Sequence, residues 1–135
     1  MNVGDLLDED LLYDARLWAD IYPIDPIEVR VRPMPGLLAI VLGREVSAIT
    51  ILRTVWVEDE ALSGPPDRLH RLLAHELVHA RQWRALGAAR FLGRYLSEYV
   101  IGRLRGGSHS EAYRTISMEA EARTIAESVS RPRSR

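Results

Sequence analysis

The feature that most constrains this chain is the run from Pro65 to Gly87, PPDRLHRLLAHELVHARQWRALG. It reads as one helix with His75-Glu76-Leu77-Val78-His79 at its middle. Pro65 and Pro66 suit a first helical turn, and Asp67 puts a negative charge near the positive end of the helix dipole. Gly87 suits the position just past the end. Leu69, Leu72, Leu73, Leu77 and Ala80 recur at helical spacing and predict a buried stripe. Each helical residue turns about 100°, so residues four apart lie about 40° apart on one face, one turn above the other. His75 and His79 therefore aim two imidazoles at one point, which suits a tetrahedral zinc ion. Glu76 points to the side of that pair. There it can accept a proton from a water activated by the metal without being a ligand itself.

The rest of the composition narrows the ligand set. The chain has 135 residues and no cysteine. Disulfides, thiolate zinc sites and a cysteine nucleophile are excluded, so metal ligands must come from His, Asp and Glu. The length suits one domain over 1–130, with a polar, flexible tail at 131–135. The opening MNVGDLLDED is acidic and lacks the apolar core of a secretory signal, so a cytoplasmic location is expected. No apolar run is long and uncharged enough to predict a membrane span. All eighteen basic residues are Arg. Residues 1–28 hold eight acids against Arg16, and residues 81–105 hold six arginines against Glu98. That asymmetry predicts the N-terminus folding back on the helices. Nucleic acid is not an expected partner. The arginines are spread around a helix without aromatic interleaving, and the sequence pI is about 6.4.

Periodicity predicts an α+β fold: an N-terminal helix, a small antiparallel three-stranded sheet, then three helices with the HExxH helix first among them. Residues 4–20 read as an amphipathic helix with Leu7, Leu11, Leu12, Ala15 and Trp18 on one side. Ile27 to Arg32 alternates apolar and charged residues, as a half-buried strand does. Leu37 to Leu42 is short and apolar, fitting a central strand. Gly43-Arg44-Glu45 is a turn, and Ala48 to Val57 is β-branched and aromatic, reading as the last strand. Such a strand, leading into the motif helix, can lie along the rim of its site. A second helix spans Ala88 to about Arg105, with Phe91, Leu92, Tyr95, Leu96, Tyr99 and Ile101 as its buried side. Ser108-x-x-Glu111 is a capping-box pattern opening a third helix that runs towards Val129.

A catalytic zinc site needs a third protein ligand and an open fourth position. The longer H-E-x-x-H-x-x-G-x-x-H pattern fails, because Gln82 occupies the Gly place. The remaining candidates are His109, Glu111, Glu119 and Glu121. Glu111 is explained as a capping residue, and His109 sits beside it at a helix start. Glu119 and Glu121 lie mid-helix among Met118, Ala120 and Ala122, where a Glu needs either solvent or a cation. Residues two apart on a helix point to nearly opposite faces, so only one of them can face the metal.

A strand leading into HELVH, followed by a Glu on a later helix, resembles the gluzincin class of zinc metallopeptidases. The small size resembles the minigluzincins. HELVHARQW, GAARFLGRYLSEY and EAYRTISMEAEAR are also similar to a group of uncharacterised bacterial HExxH domains. The resemblance covers about residues 50–126. It implies Zn²⁺ as cofactor, His75, His79 and Glu119 as its ligands, Glu76 as general base, and a peptide or protein as substrate. In gluzincins the ligand Glu often begins an E-x-x-x-D pattern whose Asp supports a zinc-bound His; here Arg123 takes the Asp place. Tyr113 is the first candidate to stabilise a tetrahedral oxyanion, with an Arg second. The alternative function is a zinc-binding, non-catalytic interaction or scaffold domain.

Overall fold

The computed structural model describes residues 1–7, 17, 21–42 and 46–130. Its architecture is α+β, as the patterning predicts, with helices packed against a three-stranded sheet. The main core forms where they meet, around Val31, Val55 and Val57 from the sheet and Leu73, Leu77 and Val78 from the motif helix.

Helix α1 (Val3–Leu6) is opened by reciprocal hydrogen bonds between Asn2 and Asp5. It ends at Leu7, whose backbone is extended, so the helix expected over 4–20 is not continuous. Leu7, Leu17 and Ile21 are buried. Leu11, Leu12, Ala15 and Trp18 lie outside the described residues, as do most of the N-terminal acids, the turn at 43–45 and the tail at 131–135.

The sheet departs from the expected one in three ways. The first strand starts late: Pro26–Glu28 forms a 3-10 turn capped by Asp25, and β1 runs Arg30–Pro33. The apolar run at 37–42 is a helix, α2 (Gly36–Leu42), not a central strand. An unbroken apolar run carries no period, so it does not tell strand from helix. Leu37 and Ile40 stand 77% and 79% exposed, which a central strand does not allow. The long run at 48–57 splits into a hairpin, β2 (Ala48–Ile51) and β3 (Thr54–Val57), with Ile51 opposite Thr54. Its turn, Leu52-Arg53, lacks the Gly or Asn that usually marks such turns, and Leu52 takes a φ of 57°.

β3 lies in the middle, antiparallel to β2 and parallel to β1. The sheet is therefore mixed, in the order β1-β3-β2, where an antiparallel one was expected. The reason is α2. It carries the chain across between β1 and β2, and a crossover permits the parallel pairing that a tight turn forbids. β2 is left at an edge.

After a short helix, α3 (Asp59–Leu62), the motif helix α4 runs Pro66–Leu86 and ends at Gly87, φ 77°. Leu69, Leu73, Leu77 and Ala80 are buried, and Leu72 is partly buried. Helix α5 (Ala88–Leu104) follows, but its buried side is narrower than expected. Only Phe91 is buried, while Leu92, Leu96 and Ile101 are exposed. Ser108 caps α6 (His109–Arg114) by accepting from the Glu111 amide at 3.1 Å. The third helix breaks there, and α7 begins anew at Ser117–Ser130. Glu98 on α5 seals the break, accepting from the Ser117 amide at 3.4 Å and its hydroxyl at 2.9 Å. Among the described residues no helix is long and apolar enough to cross a membrane.

Candidate metal centre

α4 and α7 pack against each other, and their facing sides bring the candidate ligands together. His75 Nε2 lies 3.2 Å from His79 Nε2, and Glu119 Oε2 lies 3.0 Å from the first and 3.1 Å from the second. Zinc bonds of 2.0–2.1 Å at tetrahedral angles put neighbouring donors about 3.3 Å apart, so this triangle fits the ion. Among the described residues it is the group of this kind. The donor set fits as well: two imidazole nitrogens and one carboxylate oxygen, with Glu76 close by and not a member.

The electrostatics of the triangle favour positive charge within it. Burial favours the neutral ring of His79, but the hydrogen bond to Glu119 and the charges of Glu76 and Glu119 outweigh it and hold the imidazole up at about 9. Burial likewise opposes the charged form of Glu119, yet hydrogen bonds with His75 and His79 hold its carboxyl far below the usual range. Two carboxylates thus share a buried space with whatever positive charge the site carries.

His79, Glu119 and the neighbouring Glu76 are each held by a further side chain. Gln82 Nε2 donates to the Met118 carbonyl on α7 at 3.1 Å. That bond leaves Gln82 Oε1 facing His79 Nδ1, 2.8 Å away. An amide oxygen only accepts, so Nδ1 carries a hydrogen and the ring presents Nε2 to the metal position. Tyr95 on α5 donates to Glu119 Oε1 at 2.9 Å, leaving Oε2 for the histidines. Thr50 on β2 donates to Glu76 Oε2 at 2.6 Å, which fixes the carboxylate beside the pair. Trp83 Nε1 donates to the Thr50 carbonyl at 2.9 Å, tying the same strand to α4 a second time. The strand on the rim is thus β2, an edge strand, while β3, which leads into the motif helix, is central.

The other candidates have other roles. Glu121 faces outward and pairs with Arg81. His109 Nδ1 bonds the Tyr99 hydroxyl at 2.7 Å and is not in the triangle. Glu111 is exposed at the start of α6. Arg123 donates to the Arg114 carbonyl at 2.9 Å, so the place of the expected supporting acid is filled by a tie between α6 and α7. Tyr113 is half-buried and lines the cavities on both sides of Glu76. Burial, then the charges of Glu119 and Glu76, push its phenol well above the ordinary value, so it stays a donor. Burial and the Glu119 charge do the same for Tyr95.

Sequence reasoning missed Thr50, Gln82 and Tyr95. Gln82 stands three residues after His79, a spacing that puts both on one helix face, so its role was readable in principle. Tyr95 carried no such signal, because its partner lies on another helix. No family model, no curated protein and no solved structure matches the chain.

Proposed function

We propose that this protein is a zinc-dependent peptidase of the gluzincin type, acting on peptide or protein substrates. The observation that carries the reading is the convergence of His75, His79 and Glu119 on one point, with Glu76 fixed beside them but outside the ligand set. A purely structural zinc site has no need of that extra carboxylate. His75 Nε2, His79 Nε2 and Glu119 Oε2 would hold the ion. When bound, zinc supplies Lewis acidity that brings the ionisation of water towards neutral pH. Glu76 takes the proton of the attacking water and hands it to the leaving amine. Thr50 holds Glu76 in place for both transfers. Tyr113, which lines the cavities on both sides of Glu76, would donate its phenolic hydrogen to the developing oxyanion. Gln82 and Tyr95 keep His79 and Glu119 turned inward.

The test is zinc content per chain, measured for the wild type beside Glu119→Ala and Glu121→Ala, with peptide hydrolysis compared against Glu76→Gln. One zinc in the wild type and in Glu121→Ala, little in Glu119→Ala, and hydrolysis lost in Glu76→Gln support the proposal. Zinc without Glu76-dependent hydrolysis points instead to a non-catalytic zinc-binding domain. A wild type that holds no zinc after reconstitution removes both.

A further inference from the structure

We infer that the cavity between β2 and α5 selects substrates with a large apolar side chain next to the scissile bond. The inference rests on the peptidase reading and adds a substrate class to it. The cavity measures about 440 Å³ and ends at Glu76, His79 and Glu119. That volume lies within the ordinary range for small-ligand sites. Ile49 and Ile51 form one wall, and Leu92 and Leu96 form the other.

Leu92 and Leu96 stand one turn apart on α5, and a helix of this pattern should bury them. They are instead 45% and 56% exposed, and both line the cavity. Trp83 stacks on Phe91 with ring centroids 4.0 Å apart, and its one polar atom is turned away to the Thr50 carbonyl. What remains facing the cavity is ring surface, a good seat for an aromatic or branched side chain. Away from the metal end the lining offers no carboxylate or guanidinium, and its polar groups there, the Tyr99 hydroxyl and His109, are bonded to each other.

Across Glu76 and Tyr113 the second cavity, about 310 Å³, mixes apolar residues such as Leu69, Leu72 and Ala126 with Arg68, Arg71 and Glu127, so the aromatic lining is confined to the first.

The experiment is calorimetric titration of zinc-loaded Glu76→Gln protein with end-blocked tetrapeptides Ala-X-Ala-Ala and Ala-Ala-X-Ala, where X is Phe, Leu, Ala or Asp. At one of the two positions, Phe or Leu is expected to bind at least about tenfold tighter than Ala or Asp, about 1.4 kcal/mol. Leu96→Asp and Leu92→Asp, introduced into the same protein, should each abolish that preference. Leu104→Asp, on the same helix but outside the cavity, should leave it intact. Circular dichroism of each variant separates a changed cavity from a lost fold. Equal affinities, no binding, or a preference that survives both cavity variants overturns the inference. Zinc content and Glu76-dependent cleavage, measured on the wild type, report separately on the peptidase reading. Cleavage without side-chain preference sinks only the cavity. A preference titrated in zinc-free protein that shows no cleavage sinks only the peptidase.

Discussion

Helices α4 and α7 are joined by two sets of charged side chains that differ mainly in what surrounds them. On the inner face His75 and His79 meet Glu119; on the outer face Arg81 meets Glu121. The two glutamates are two residues apart in the chain. The Glu119 side chain is 6% exposed and that of Glu121 is 45% exposed. The outer pair is a surface ion pair, screened by water and worth little. The inner set is buried apart from the partly exposed His75, so its charges are screened far less and loss of Glu119 leaves buried charge without its partner. The same helix pair thus carries an expendable contact and one on which the proposed chemistry depends.

The sharpest way to break this contrast is to remove each glutamate in turn. Glu119→Ala should abolish zinc retention and cost roughly 3–5 kcal/mol of stability in denaturant titrations. If Glu121→Ala proves as damaging, burial does not separate the two pairs. pH offers a second test on metal-free protein held in chelator. His79 is raised from 6.5 to about 9, so its contribution is full below pH 6.5 and is lost as the pH rises through 9. Glu119 is depressed, so its contribution is present above pH 4.5 and is lost as acid protonates it. Melting temperature should therefore be highest between about pH 4.5 and 6.5 and fall towards 9. Glu119→Gln should flatten that fall, and a wild-type profile already flat from 6.5 to 9 would contradict the inner arrangement.

Smaller effects sharpen the picture. Gln82→Ala should weaken zinc binding by about 10–100-fold, read by competition with a chelating dye, because His79 loses the acceptor that orients it. Tyr95→Phe leaves Glu119 Oε1 without its donor and should cost about 1.5–3 kcal/mol. Arg81→Ala should change stability by no more than about 1 kcal/mol and leave zinc binding alone. An Arg81→Ala effect as large as that of Tyr95→Phe would mean the outer pair is more than a surface contact.

How far these regions were readable from sequence varies with how local their causes are. The motif helix was readable almost to the residue, since Pro66, Asp67 and Gly87 act on their own neighbourhood and the leucine stripe has a clear period. A small sheet was readable but neither its strands nor its topology, and the count of three agrees only because one expected strand is a helix and another is two strands. Leu37 to Leu42 has no period, and the hairpin turn at Leu52-Arg53 uses a residue that rarely turns a chain. The buried side of α5 was overdrawn, because apolar periodicity shows which residues share a face and not whether a neighbour covers it. Ser108 was a legible cap, but the break before Ser117 depends on Glu98, nineteen residues away on another helix.

The sequence by itself determined that His75 and His79 share a face with Glu76 beside them, because that relation follows from the 100° turn of a single helix. It also limited the third donor to a few carboxylates and one histidine. Only the tertiary structure decided that Glu119 faces inward and Glu121 outward, and that Tyr95 and Thr50 hold the group. Those choices depend on how α7 is rotated against α4 and where β2 lies along it. Packing across the whole domain sets that rotation, and no local stretch of sequence encodes it.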